Sequence, residues 1–197
     1  ASLGYEVMGL DVDVEKVAAL TAGHVPFYEP GLQELMREQI AAGRLSFTSD
    51  YAELAEWAGD GAVHFVSVGT PQKKGESAAD MAYVDAAFES LARAIAHQGR
   101  SLLVGKSTVP VGTAGRLADR IAELAPNAEL AWNPEFLREG WAVHDTTAGD
   151  LGSRERPVPL FVFRLPSSGF CSHVPRAATA AAGTTRRARP GPGRAAR

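Results

Sequence analysis

Ala62-Val63-His64-Phe65-Val66-Ser67-Val68-Gly69 is the stretch on which the fold turns. Apolar at almost every position and stopped by a glycine, it reads as a strand buried on both faces, the kind found inside a parallel sheet. Upstream, an Asp50-capped helical segment ends near Gly59, preceded by a brief strand at Leu45, Phe47 and Thr48. Leu32, Leu35, Met36 and Ile40 recur at helical period until Gly43 stops them, and Pro26 and Pro30 break the chain over residues 23–31. Residues 5–10 form an apolar run ending in Asp11-Val12-Asp13, followed by Glu15, Lys16, Val17 and Leu20 at helical spacing. Downstream, the polar loop 71–79 leads into residues 81–97, which carry Val84, Phe88, Leu91 and Ile95 on one helical stripe. Residues 101–105 give the next strand, 113–125 the next helix, and 128–132 a further strand that runs into Asn133-Pro134. Strands alternating with helices predict an α/β domain with a mainly parallel sheet. Ligands of such sheets bind at the carboxyl ends of the strands, so the useful residues should follow Leu10, Val68, Val104 and Trp132.

The 197 residues suffice for one ordinary domain and an extension, and a 45% hydrophobic content supports a buried core. No apolar run approaches the ~20 residues of a membrane helix. The N-terminus has no signal-peptide pattern, so the expectation is a cytoplasmic protein with no membrane partner. A single cysteine, Cys171, excludes an intramolecular disulfide. The net charge of -3 hides two unlike parts: residues 1–146 carry 21 acidic and 11 basic residues, whereas 147–197 set Asp150 and Glu155 against nine arginines. Residues 158–165 are apolar but hold Pro159, and Pro166-Ser167-Ser168-Gly169 follows without a helix or strand pattern. From Arg176 onward there is no acidic, aromatic or large aliphatic residue to offset the entropy of ordering. The expectation is a folded domain over 1–146 and a largely disordered basic tail over 147–197.

Asp11 closes the first strand, where a doubly wound dinucleotide-binding fold places the acid that hydrogen-bonds the adenosine ribose. A carboxylate there favours NAD over NADP, because a 2'-phosphate would meet a like charge; the alternative is an ordinary acidic turn before a helix. The glycine-rich loop of such folds lies ~20 residues upstream, and only ten residues precede Asp11. His24, His64, His97 and His144 show no metal-ligand spacing, so no metal is expected. Trp57, Trp132 and Trp141 read as core or interface residues rather than cofactor stackers. Tyr28 and Glu29, in the Pro-Gly loop, fit packing and binding equally.

Five strings lie in order along residues 1–146: Gly9-Leu10-Asp11-Val12-Asp13 with Lys16; Val25-Pro26-Phe27-Tyr28-Glu29-Pro30-Gly31-Leu32; Val68-Gly69-Thr70-Pro71; Lys106-Ser107-Thr108-Val109-Pro110-Val111-Gly112-Thr113; and Asn133-Pro134-Glu135-Phe136-Leu137-Arg138-Glu139-Gly140. In order and spacing they resemble the UDP-glucose 6-dehydrogenase family. The resemblance implies a Rossmann-like doubly wound sheet, truncated before its first strand, and NAD as cofactor. It assigns Asp11 and Lys16 to the adenosine ribose, and Val68, Gly69, Thr70, Pro71, Gln72, Ser107, Thr108 and Val109 to loops lining NAD. Glu135, Phe136, Leu137, Arg138 and Glu139 match the segment that touches the sugar nucleotide, with Glu139 close to NAD. Glu135 matches the acid/base carboxylate, and with Thr108 would hold the hydrolytic water. Such enzymes oxidise a primary alcohol by two hydride transfers, holding the aldehyde on a cysteine as a thiohemiacetal and then a thioester that water cleaves.

Nothing in the sequence corresponds to the family's Cys-x-Pro-Lys-Asp segment, and Cys171 in Gly169-Phe170-Cys171-Ser172-His173 reads as a bystander. The abrupt change after Thr146 reads as translation of a GC-rich gene in a wrong frame, with a genuine basic tail as the alternative. The expectation is therefore a fragment of an NAD-dependent enzyme converting UDP-glucose to UDP-glucuronate, inactive alone, with residues 7–10 left as a bare sheet edge. Full-length family members imply a homodimer. The rivals are a GDP-mannose or UDP-N-acetylmannosamine dehydrogenase and, from another class, a polyanion-binding protein acting through Arg186, Arg187, Arg189, Arg194 and Arg197. No aromatic interleaving or recognised module supports specific nucleic-acid binding.

Overall fold

The computed structural model describes residues 1–73, 75, 78–133, 140–147 and 162–164. In chain order they form β1 (Glu6–Leu10), α1 (Val14–Thr21), α2 (Leu32–Ala41), β2 (Leu45–Thr48), α3 (Tyr51–Ala58), β3 (Ala62–Val66), α4 (Ala82–Ala94), β4 (Ser101–Gly105), α5 (Thr113–Leu124), β5 (Ala128–Trp132), α6 (Ala142–Thr147) and β6 (Val162–Arg164). The expected alternation is present, and β1 to β5 are all parallel, in the α/β architecture of a Rossmann-like sheet. The caps explain where helices begin. The Asp50 side chain accepts from the Ala52 amide at 2.7 Å, and Asp13 accepts from those of Glu15 and Lys16 at 3.0 and 3.1 Å.

The strand order is β2-β1-β6-β3-β4-β5. The chain thus builds outward from β1 to one side and from β3 to the other, and the reversal falls between β1 and β3. Alternation along β1 shows how both faces are used: Val7 packs with Met36 and Leu45, while its neighbour Met8 joins the larger cluster of Leu54, Val66, Val84, Phe88, Leu91, Leu103, Leu117 and Ile121. In β3, Ala62, His64 and Val66 are buried and Val63 and Phe65 only half so. The hydrophobic run continues to Val68, but the strand ends at Val66, whose carbonyl takes the Lys106 amide at 2.9 Å as the last backbone link to the neighbouring strand.

Two expectations require correction. Residues 162–164, part of the tail expected to be largely disordered, form β6, and the edge of β1 predicted to be bare is partly paired. β6 runs antiparallel between β1 and β3, with Val7 and Val63 both opposite Phe163. The physical reason is the gap itself: two parallel strands facing an empty lane offer unpaired amides and carbonyls on both sides, and the backbone of residues 162–164 pairs with both. Its register stops at Met8 and Val63, so the carboxyl ends of β1 and β3 have no partner in β6. The rest of the expected tail, residues 148–161 and 165–197, lies outside the described residues.

Candidate functional site

Asp11 immediately follows β1 at the reversal point of the sheet. Its amide is held by the Thr48 carbonyl at 3.2 Å, which continues the pairing of β1 with β2 by one residue. One carboxylate oxygen accepts the Asp13 amide at 3.1 Å and the other pairs with the Lys16 ammonium. Partial burial pushes the Asp11 pKa up, but the Lys16 and Asp13 hydrogen bonds and the lysine charge outweigh it and hold the group below the ordinary carboxylate value. The nearby Tyr51 phenol is pushed up, by its own burial and then by the Asp11 charge. An ionised carboxylate has about four lone-pair sites. These contacts use two of them, which leaves acceptor capacity for a pair of vicinal hydroxyls.

The two loops expected beside Asp11 follow β3 and β4. They are tied together: the Ser107 hydroxyl donates to the Val68 carbonyl at 2.6 Å across 39 residues. Gly69, Pro71, Gln72 and Thr108 are exposed, Thr70 and Ser107 half-buried, and Val68 and Val109 pack against the larger core. The 71–80 loop is closed on itself by a Gln72–Ala79 bridge and by the Asp80 amide on the Pro71 carbonyl at 2.7 Å. Trp132 holds the second loop from below. Its indole N–H donates to the Ser107 carbonyl at 3.0 Å and its ring stacks on Phe88 with centroids 5.6 Å apart. The ring also lies over Gly105, where a Cβ would come within 2.5 Å of it, so only glycine fits. Trp132 is thus a support for the core, as expected, and Trp57 also packs there, whereas Trp141 is exposed and meets the His144 ring nearly at a right angle. Lys106, between β4 and this loop, is fully buried.

Glu135, Phe136, Leu137, Arg138 and Glu139 lie outside the described residues. Both flanks of their segment are held. The Asn133 amide donates to the Gly105 carbonyl at 2.8 Å, and the Glu29 carboxylate accepts the amides of Gly140 at 2.7 Å and Ala142 at 2.8 Å. The sequence left Glu29 open between packing and binding; its partners stand more than a hundred positions away, beyond the reach of any local spacing. Among the described residues there is no cluster of three or more metal-ligating side chains, and no helix is long and apolar enough to cross a membrane.

A parallel sheet with an ionised acid after β1 and two cross-tied loops after β3 and β4 defines a dinucleotide-binding α/β domain. Residues 1–157 match the model of the UDP-glucose/GDP-mannose dehydrogenase family, NAD binding domain, and the chain belongs to that family. It is 44% identical over 147 residues to a UDP-glucose 6-dehydrogenase of Rhizobium meliloti, an alignment covering 74% of this chain and 32% of the relative. It resembles a solved UDP-glucose dehydrogenase of Pyrobaculum islandicum with a TM-score of 0.65 and 41% identity, over 73% of this chain and 33% of that one. A ternary complex of GDP-mannose dehydrogenase from Pseudomonas aeruginosa is similar with a TM-score of 0.66 and 32% identity, over 73% and 34% of the two chains. The chain spans about a third of the length of these relatives.

Proposed function

We propose that this chain is the NAD-binding portion of a cytoplasmic, homodimeric dehydrogenase that oxidises UDP-glucose to UDP-glucuronate. The observation that carries the reading is the gathering of Asp11, residues 68–72 and residues 107–109 at the carboxyl ends of β1, β3 and β4, with Ser107 bonded to Val68. In this reading Asp11 accepts hydrogen bonds from the adenosine ribose hydroxyls, and Lys16 keeps the acid ionised and oriented. Val68, Gly69, Thr70, Pro71 and Gln72 form one wall for the dinucleotide, and Ser107, Thr108 and Val109 the other. Bound NAD supplies the hydride acceptor. Glu135 and Thr108 orient the water that cleaves the thioester, Glu139 borders the cofactor, and residues 135–139 meet the sugar nucleotide; the thiol comes from a segment like the family's Cys-x-Pro-Lys-Asp. Oxidation of GDP-mannose is a second reading, favoured by the likeness to the Pseudomonas aeruginosa structure.

The test is a titration of the labelled chain with NAD and with NADP, read on the amide signals of Asp11, Thr70 and Thr108, for the wild type and Asp11→Ala. NAD should move all three signals at lower concentration than NADP. Loss of a charge-assisted hydrogen bond, worth ~1.5–3 kcal/mol, should weaken NAD about ten- to a hundred-fold and erase the preference. Identical titrations of both proteins would remove Asp11 from the site, and a wild type that responds to NADP at the same or lower concentration than to NAD would overturn the assignment of the acid to the ribose. Competition by UDP-glucose against GDP-mannose separates the two substrates.

A further inference from the structure

α3 joins β2 to β3, and because those strands run in the same direction the helix returns from the carboxyl edge of the sheet to its amino edge. One stripe of α3 faces the sheet. Leu54, Ala55 and Ala58 are buried, and Leu54 and Ala55 join the cluster that holds Met8 of β1 and Val66 of β3. Tyr51 precedes Leu54 and Ala55 by three and four positions, so it shares that stripe one turn nearer the carboxyl edge. There the sheet runs out. Leu10 is the last residue of β1 on the Met8 face, and Leu10, Tyr51 and Val68 are each half-buried and packed against the same cluster. The core covers one side of the tyrosine and leaves the rest to the edge where Asp11 stands. The two are built on one piece of backbone: the Thr48 carbonyl holds the Asp11 amide at 3.2 Å, and the Thr48 hydroxyl holds the amide of Asp50 at 3.0 Å, directly before Tyr51. Burial, and then the Asp11 charge, push the phenol above its ordinary value, so the ring stays uncharged at neutral pH.

We propose that Tyr51 is the base platform of the nucleotide site: the adenine joined to the ribose held by Asp11 lies against its ring. The inference rests on the proposed function for the ribose and adds the base to it. An uncharged aromatic face, fixed from behind by the core, suits a planar heteroaromatic ring because stacking needs a π surface and no hydrogen-bond pattern. A residue that only filled space beside Leu10 and Val68 could be any large apolar side chain. That difference makes the role testable.

The experiment uses the 197-residue chain and its Tyr51→Phe, Tyr51→Leu and Asp11→Ala variants. The probes are AMP and 2',3'-dideoxy-AMP, titrated to high millimolar concentration and read on the ring signals of labelled tyrosine and on the amides of Leu10 and Val68. AMP should move the Tyr51 ring signals upfield, as a stacked base does. Tyr51→Phe should bind both nucleotides within about two-fold of wild type, whereas Tyr51→Leu, which keeps apolar bulk but has no π face, should bind both about ten-fold more weakly. The dideoxy probe lacks the hydroxyls assigned to Asp11, so Asp11→Ala should weaken AMP and leave dideoxy-AMP unchanged. A folded Tyr51→Leu protein that binds AMP as the wild type does would overturn the platform; if Asp11→Ala still weakened AMP, the proposed function would stand without it. Should Tyr51→Leu fail to fold, the wild type decides: amides of Leu10 and Val68 that respond to AMP while the Tyr51 ring signals stay put would overturn the platform equally. Tyr51 ring signals that move while Asp11→Ala binds AMP normally would support the base contact and remove the acid from the ribose.

Discussion

His64 is fully buried in β3, on the face it shares with Val66 and hence with the larger core, and among the described residues neither ring nitrogen has a hydrogen-bond partner. Burial alone lowers its pKa from 6.5 to about 4. The sign follows from which state binds the proton. Below pH 6.5 the unfolded chain protonates this imidazole and the folded chain resists, so stability is complete above 6.5 and is lost as pH falls towards about 4. At roughly 1.4 kcal/mol for each pH unit between the two values, the full loss is about 3 kcal/mol, with about 2 kcal/mol already gone at pH 5. Urea denaturation of the wild type and of His64→Leu across about pH 4.5 to 8 isolates the effect, because every other titrating group is common to both. The difference in unfolding free energy should be flat above pH ~7 and then drift by about 2 kcal/mol in favour of the variant by pH ~5. Curves that stay parallel through that range would refute the reasoning and require a partner that keeps the ring charged inside the fold.

Two other outcomes test the site's construction. Trp132→Ala should destabilise the domain by about 3 kcal/mol, the lower end for an aromatic-to-alanine change because the ring is only half-buried; Ser107→Ala should cost about 1 kcal/mol for its bond to Val68. Urea midpoints check both, and a Ser107→Ala protein of wild-type stability would mean that the two loops are not coupled. The chain alone, whose only thiol is Cys171, should produce no NADH from UDP-glucose and NAD in an absorbance assay. Production abolished by Glu135→Gln would instead make Cys171 the nucleophile.

Much of the fold was legible because it is locally encoded. The stripe Val84, Phe88, Leu91 and Ile95 sits in the core as its 3.6-residue period requires, and Asp50 caps the helix it was expected to cap. Asp11 could be placed at the mouth of the sheet because it ends an apolar run and precedes a helix. What escaped depends on contacts between distant residues. β6 carries no periodic pattern in three residues and follows a proline-containing stretch; it exists because β1 and β3, a hundred or more positions earlier, leave a lane for it. The Ser107–Val68 and Glu29–Gly140 bonds likewise join segments whose own sequences say nothing of each other. The end of β3 at Val66 rather than Val68 is a third case, since hydrophobicity persists where the neighbouring strand has already turned away.

The same arrangement explains why the candidate cleft is also the weakest seam of the sheet. β1 and β2 form one half and β3 to β5 the other, and between them the strand pairing is carried by three residues of β6, so the seam relies on side chains such as Met8, Leu54 and Val66 packed across it. Asp11 belongs to the first half, Thr70 and Thr108 to the second. A dinucleotide that contacts all three bridges the seam, and its binding free energy adds directly to the cohesion of the halves, by about 2.7 kcal/mol at a hundred times its dissociation constant. A ligand confined to one half would stabilise that half without closing the seam. If the cofactor binds as proposed, its recognition and the integrity of the sheet are coupled where, among the described residues, the backbone pairing between strands is shortest.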